Sequence, residues 1–202
     1  MRIAVLASGS GSNFEALVQA CLGKEVQNAE IVLLVTDKQK AFVRQRAKKY
    51  NIPQVFLNPT DYQSRQAFDE EIIKVLQEHE IEFVLLAGYM RILSPFFVSK
   101  FKNKILNIHP ALLPAFKGSN AIEQAYNYGV KVVGVTVHFV DAKVDHGPIL
   151  LQQSLAVKPG ESLEQLRERI HKLEHCLYPR ALDYCINKKV EIKNRLVEIK
   201  DK

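Results

Sequence analysis

Three side chains carry the strongest chemical signal in the sequence. Asn107 and His109 stand two apart in the run Ile105-Leu106-Asn107-Ile108-His109-Pro110. In an extended chain, residues two apart project to the same side. Pro110 restricts the backbone as the chain leaves that run. Asp141 and Asp145 follow in a polar stretch that ends in Gly147-Pro148. An amide N–H suits a developing oxyanion. An imidazole donates to the same oxygen or moves a proton. A carboxylate such as Asp145 holds the imidazole in its useful protonation state, or accepts an amine proton directly or through water. Together these groups fit addition to a carbonyl. No Ser or Cys sits in a recognisable nucleophile elbow, which favours direct transfer over an acyl-enzyme.

Metal binding is the rival use of the same residue types. His109, His138, Asp141, Asp145 and His146 have ligating atoms, but their spacing matches no strong zinc pattern and no cysteine is near. His138 alternates with Val137 and Phe139, as the polar face of a strand does. The expectation is a site without metal.

A second signal lies at the start of the chain. Ser8-Gly9-Ser10-Gly11-Ser12-Asn13 joins an apolar run to a stretch with helical spacing. Small residues and free backbone N–H groups at a helix N-terminus suit a phosphate dianion. No Lys-Ser/Thr pair follows, so this is not a P-loop. Asn13 and Phe14 interrupt the glycine spacing of a dinucleotide fingerprint. The plainer alternative is a tight strand-to-helix turn.

Elements that would position these groups follow from periodicity. Residues 3–7, 31–36, 55–57, 81–87 and 105–109 read as buried strands. Residues 14–27, 40–50 and 64–79 read as helices between them. Ser94 caps a further helix with Pro95 at its first position. Residues 121–128 form a helix, 130–139 and 149–157 are strands, and a helix runs from Ser162 to about Cys185. Residues 190–192 and 196–199 flank Lys193-Asn194-Arg195 as a terminal hairpin. Strand–helix alternation predicts a three-layer α/β fold with a mostly parallel sheet and a Rossmann-like N-terminal half. The closely spaced late strands suggest some antiparallel pairing near the C-terminus. Ligands in such sheets bind outside the carboxyl ends of the strands, where Asn107 and His109 fall.

Composition excludes several classes. A length of 202 residues with 47% apolar and 25% charged residues fits one folded domain, not a disordered or fibrous chain. A net charge of +6 with interspersed signs serves anionic small substrates as readily as nucleic acid. No aromatic-and-basic interleaving or recognition helix points to nucleic acid. The charged tail, with Lys188, Lys189, Lys193, Arg195, Lys200 and Lys202 interrupted by Glu191, Glu198 and Asp201, reads as a solvated face. Cys21, Cys176 and Cys185 form neither a disulfide framework nor a zinc knuckle, which fits a reducing, cytoplasmic setting. No signal peptide or membrane span is expected, since the opening apolar run meets the glycine loop too early and residues 83–90 are too few to cross a bilayer.

The motifs also resemble a known family. Ala7 to Asn13, Ala87 to Leu93, Asn107 to Pro114, Gly134 to Val140, and Asp145 to Ile149 occur in the order found in the phosphoribosylglycinamide formyltransferases, folate-dependent enzymes of purine biosynthesis. The resemblance runs from Ile3 to about Tyr184. It implies 10-formyltetrahydrofolate and a phosphoribosylated glycinamide as substrates, with no tightly bound cofactor. It assigns catalysis to Asn107, His109 and Asp145. It assigns the phosphate to Gly11, Ser12 and Asn13, and the ribose to Glu174. It assigns a folate wall to Met90, Arg91, Ile92 and Leu93, and a pterin loop to Val140, Asp141 and Val144. Arg65 resembles a basic residue on the folate side in some members. One domain over 1–202 would then divide into a phosphate-binding half over 1–100 and a catalytic, folate-contacting half over 101–202. The chain would act on small molecules as a monomer or homodimer. Departures from the commonest pattern are His146 in place of glycine, Lys117 in place of proline, and Ser119-Asn120. Methionyl-tRNA formyltransferase and formyltetrahydrofolate deformylase share this architecture, and the chain length argues for neither of their extra domains.

Overall fold

The computed structural model describes residues 1–201. Runs that are apolar without alternation form the middle of the sheet. In β1 (Arg2–Leu6), Ile3 to Leu6 are fully buried. Ile3 and Val5 pack into one core while Ala4 and Leu6 pack into another, so the strand is covered on both faces. The same holds for β4 (Phe83–Leu86), which is buried throughout.

The other sheet strands are β2 (Glu30–Thr36), β3 (Gln54–Phe56), β5 (Ile105–His109), β6 (Val132–Phe139) and β7 (Ile149–Ala156). Helices are α1 (Ser12–Leu22), α2 (Val43–Lys49), α3 (Arg65–Glu78), α4 (Pro95–Lys100), α5 (Ala121–Tyr128) and α6 (Leu163–Asn187). The seven-stranded sheet has the order β3-β2-β1-β4-β5-β6-β7. Its first five strands are parallel, and β6 and β7 continue antiparallel. This is the expected α/β architecture with antiparallel strands late in the chain. The chain closes with a separate hairpin, β8 (Lys189–Lys193) and β9 (Leu196–Lys200).

One core holds Phe14 and Leu17 of α1 with Tyr178 and Leu182 of α6. The opposite core holds Phe68, Ile72 and Leu76 of α3 with Phe97 of α4. Two helix layers therefore fix the sheet from both sides. Tyr178 is fully buried, and its hydroxyl lies 3.0 Å from the carbonyls of both Leu86 and Leu106. That contact anchors α6 to the end of β4 and the start of β5, the strands that lead into the polar cluster.

Local chemistry sets several ends. Ser94 and Ser162 accept from Phe97 N and Gln165 N, and Ser162 with Gln165 completes a reciprocal capping box. The helix expected over 14–27 stops at Leu22, because Gly23 closes it and Lys24 and Asn28 take left-handed backbone. The helix expected from 40 starts at Val43, whose N–H donates to Gly9 O. A contact with the glycine loop, not local propensity, sets that start.

Candidate active site

The strand order places β1 between β2 and β4, with chain connections leaving in opposite directions. The carboxyl ends of the strands open there into a crevice. A cavity of about 610 Å³ occupies it. Gly11, Ser12 and Asn13 line one end, and Asn107, His109 and Asp145 line its centre. Met90, Arg91, Ile92, Leu93, Val140, Asp141 and Val144 complete another wall.

At the anion end, Gly11 is the N-cap of α1, with φ of 76° and no capping side chain. The first-turn N–H groups are thus open to an anion. A Cβ on Gly11 would lie 2.4 Å from Val43 Cγ2 and 2.8 Å from Val43 Cα, so α2 also requires glycine there. Asn13 Nδ2 donates to Glu174 Oε2 at 3.0 Å. Asn13 Oδ1 is buried with no partner, and it calls for a donor such as a sugar hydroxyl. His171 Nδ1 lies 2.8 Å from the same Glu174 oxygen. The Glu174 hydrogen bond raises the His171 pKa above its ordinary value; burial opposes this, and the Glu174 charge reinforces it.

At the centre, Asn107 Nδ2 reaches Asp145 Oδ1 at 3.3 Å and His138 Nε2 at 3.2 Å. His138 Nδ1 lies 2.8 Å from Phe139 O. The His138 ring is thus held between the Phe139 carbonyl and Asn107, with Nε2 also 3.7 Å from Asp145 Oδ1. His109 is buried, with Nε2 2.8 Å from Phe116 O and Nδ1 3.4 Å from Asp145 Oδ2. Gly118 N–H donates to that Oδ2 at 2.7 Å. The 3.4 Å gap is long for a hydrogen bond. Burial pushes the Asp145 carboxyl up. The His138 ring, the Gly118 N–H and the His109 ring outweigh it and hold Asp145 below the ordinary carboxylate value.

The segment Phe116-Lys117-Gly118 holds the cluster through its backbone alone. Phe116 has φ of 50°, and its carbonyl meets His109 while Gly118 N–H meets Asp145. A lysine side chain at 117 therefore leaves both contacts intact. Asp145 itself has φ of 44°, a conformation uncommon for a residue other than glycine.

The wall is mixed. Leu93 is buried, while Met90 and Ile92 are 72% and 54% exposed and leave an apolar surface uncovered. Arg91 lies over the Phe68 ring at 5.0 Å. Met90 N donates to Ser8 Oγ, and Ser8 Oγ donates to Asp37 Oδ1, so the wall is tied to the glycine loop. Arg65 is not brought to the cavity lining. It starts α3 on the exposed side of the Ser64 cap.

Among the described residues, no group of three or more His, Cys, Asp or Glu side chains is arranged to hold a metal ion. No helix of the described residues is long and apolar enough to cross a membrane.

The sequence pattern of the Formyl transferase family matches residues 1–182. The chain belongs to the formyl transferase family. It is 46% identical over 181 residues to a Bacillus subtilis phosphoribosylglycinamide formyltransferase, covering 90% of this chain and 92% of that protein. It is 44% identical over 191 residues to the human trifunctional purine biosynthetic protein adenosine-3, covering 95% of this chain but 19% of that one. Among solved structures, glycinamide ribonucleotide transformylase 1 from Symbiobacterium toebii matches with a TM-score of 0.96 at 41% identity, covering 100% of this chain and 94% of that one.

Two lining residues of this formyl transferase escaped the sequence reading as site residues. His138 looked like the polar face of a strand, yet register brings it opposite Asn107. His171 lies one turn before Glu174 on α6, and that i,i+3 spacing was the signal available for it.

Proposed function

We propose that this formyl transferase moves the formyl group of 10-formyltetrahydrofolate to the amine of phosphoribosylated glycinamide, a formyl transfer step of purine biosynthesis. One observation carries the reading. A single cavity holds an open helix N-terminus at one end and the Asn107–His109–Asp145 cluster at its centre. One reactant is then a phosphate ester, and the other presents a carbonyl beside the apolar wall.

Gly11, Ser12 and Asn13 bind the phosphate, and Glu174 with Asn13 takes the ribose hydroxyls. Binding energy spent there positions the distant amine. Met90, Arg91, Ile92, Leu93, Val140, Asp141 and Val144 hold the folate. The amine attacks the formyl carbon and a C–N bond forms. Asn107 and His109 stabilise the tetrahedral oxyanion by turning donors from their present partners towards it. Asp145 orients His109 and accepts the amine proton directly or through water. The bond to the folate nitrogen breaks, that nitrogen takes up a proton, and tetrahydrofolate leaves. The donor is a cosubstrate, so no tightly bound cofactor is required. On this reading residues 1–100 form the phosphate-binding half and 101–202 the catalytic, folate-contacting half. We place the enzyme in the cytoplasm, as a monomer or homodimer acting on small molecules. Its three cysteines are free, and burial pushes Cys21 up to about 11 and Cys185 to about 12, which keeps these two protonated.

Purified protein given both substrates should release tetrahydrofolate only when the glycinamide acceptor is present. Release without acceptor would point to deformylation instead, and no release with both present would overturn the assignment.

His171 adds positive charge beside the phosphate end while it is protonated. His171→Ala should raise the acceptor KM roughly 2- to 5-fold near pH 6. The His171 pKa is raised, so its charge is complete at low pH and lost as pH climbs through the raised value. The KM difference should therefore close towards pH 9. A constant ratio across that range would contradict a charge effect.

A further inference from the structure

The family match ends at residue 182, and the β8–β9 hairpin lies beyond it. The hairpin does not stand apart from the site. At its turn, Asn194 takes φ of 57° and Arg195 reaches back across the catalytic loop. Arg195 Nη2 donates to His146 O at 2.6 Å. Its Nη1 lies 3.3 Å and 3.4 Å from the two nitrogens of the His146 ring. Near-equal distances align that group with neither ring nitrogen in particular, so the bond to the carbonyl is the directional one. His146 Nδ1 in turn lies 2.7 Å from Asp141 Oδ2, and Asp141 Oδ1 accepts from Lys143 N. The contacts form one chain: Arg195, His146, Asp141, then the backbone at Lys143. It crosses the loop that carries Asp145.

That loop has reason to need a strap. Asp145 sits in left-handed backbone at φ of 44°, which a non-glycine residue adopts only when its surroundings impose it. Gly118 N–H holds the Asp145 carboxylate. Arg195 holds the His146–Gly147 peptide, at the carbonyl of His146. Asp141 and Val144, on the same loop, line the apolar wall of the cavity.

We infer that Arg195 is a positioning residue, and that the C-terminal hairpin acts through it to hold the 141–146 loop in its working conformation. Arg195 contacts no reacting atom. It fixes the His146–Gly147 peptide, and through the His146 ring it fixes Asp141. The guanidinium suits both tasks, with one nitrogen donating to a carbonyl while the other lies within 3.4 Å of the imidazole nitrogens. A lysine reaches the carbonyl as a point donor but has no second nitrogen for the ring. This inference rests on the proposed formyl transfer for its kinetic consequence, and on the loop geometry alone for its structural one.

Two measurements on the full-length protein test it. In steady-state assays, Arg195→Ala should lower kcat/KM for the folate donor roughly 10-fold, since small misplacements of a catalytic group have effects of at least that size. The KM for the acceptor should stay unchanged, because the glycine loop and Glu174 are not in the contact chain. Arg195→Lys should recover part of the loss. A purely structural role for the hairpin would lower thermal stability without this donor-specific split. Independently, hydrogen–deuterium exchange of the 141–146 amides should speed up in Arg195→Ala while amides of β1 and β5 stay protected. Unchanged exchange in that loop would overturn the strap whatever reaction the enzyme catalyses. Wild-type kinetics for both substrates in Arg195→Ala would overturn the positioning role. A wild-type protein that transfers no formyl group would instead overturn the function, leaving the exchange result to judge the strap.

Discussion

Asp145→Asn should leave a folded protein that still binds its acceptor but turns over roughly 10²- to 10⁴-fold more slowly. The substitution keeps the shape and removes the charge. Asp145 accepts at both oxygens, from Asn107 Nδ2 and from Gly118 N–H. An amide in its place must turn its NH₂ towards one of these donors, so one contact becomes a donor–donor clash. It also removes the charge that faces His109 Nδ1. Acceptor KM should change little, because Gly11, Ser12, Asn13 and Glu174 are untouched. Steady-state assays with each substrate varied in turn check this, and near-normal turnover would remove Asp145 from the mechanism. Stability should also respond to pH. The folded pKa of Asp145 lies below its ordinary value of 3.8, with burial opposing the three groups that lower it. A lowered carboxylate stabilises the fold above the unfolded value, and that contribution disappears as pH falls through the folded one. The acid limb of the Tm–pH curve should therefore be shallower in Asp145→Asn than in wild type. The amide at 145 does not ionise, so raising the pH should not rescue the variant.

Gly147→Ala should be the most damaging of the glycine-to-alanine changes for stability. A Cβ at 147 would lie 1.8 Å from Phe139 O and 2.9 Å from the Phe139 carbonyl carbon. Both belong to backbone, so no rotamer change relieves the overlap. Phe139 also donates to Pro148 O at 2.8 Å, which ties the two segments together at this crossing. Either β6 opens at its end or the loop carrying Asp145 and His146 moves. The expected loss is about 4 kcal/mol or more, the range reached when a core contact has nowhere to relax. Urea unfolding followed by circular dichroism measures it, and a change under about 1 kcal/mol would contradict the tight crossing. Any folded fraction should also have lost activity, since the displaced loop carries Asp145.

The sequence was informative where one residue or one short period decided the structure. Residues 3–6 are apolar without alternation, and only a strand covered on both faces buries all of them. Ser94-Pro95 and the Ser162/Gln165 pair marked two helix starts through their own side chains. Asn107 and His109 were legible because strand geometry alone puts them on one side. Features that depend on tertiary contact were not legible. The direction of β6 follows from register with β5, and only that register puts His138 beside Asn107. The start of α2 is set by Val43 meeting Gly9 O. Arg195 read as part of a solvated charged tail, because nothing local in Lys193-Asn194-Arg195 says that its turn faces His146. Arg65 shows the opposite limit. Its proposed role came from resemblance, and the helix that carries it leaves it on the outside of the cavity.

The bond between Asn13 and Glu174 spans 161 residues. Closing so long a loop is slow relative to local helix formation. A nascent chain therefore has its glycine turn early and its Asn13–Glu174 pair only after α6 has emerged and docked. Incomplete or truncated chains should show little affinity for the phosphorylated acceptor, however much of the parallel sheet they have formed. Substrate present during folding would then act selectively on finished molecules, drawing the population towards the complete fold by mass action.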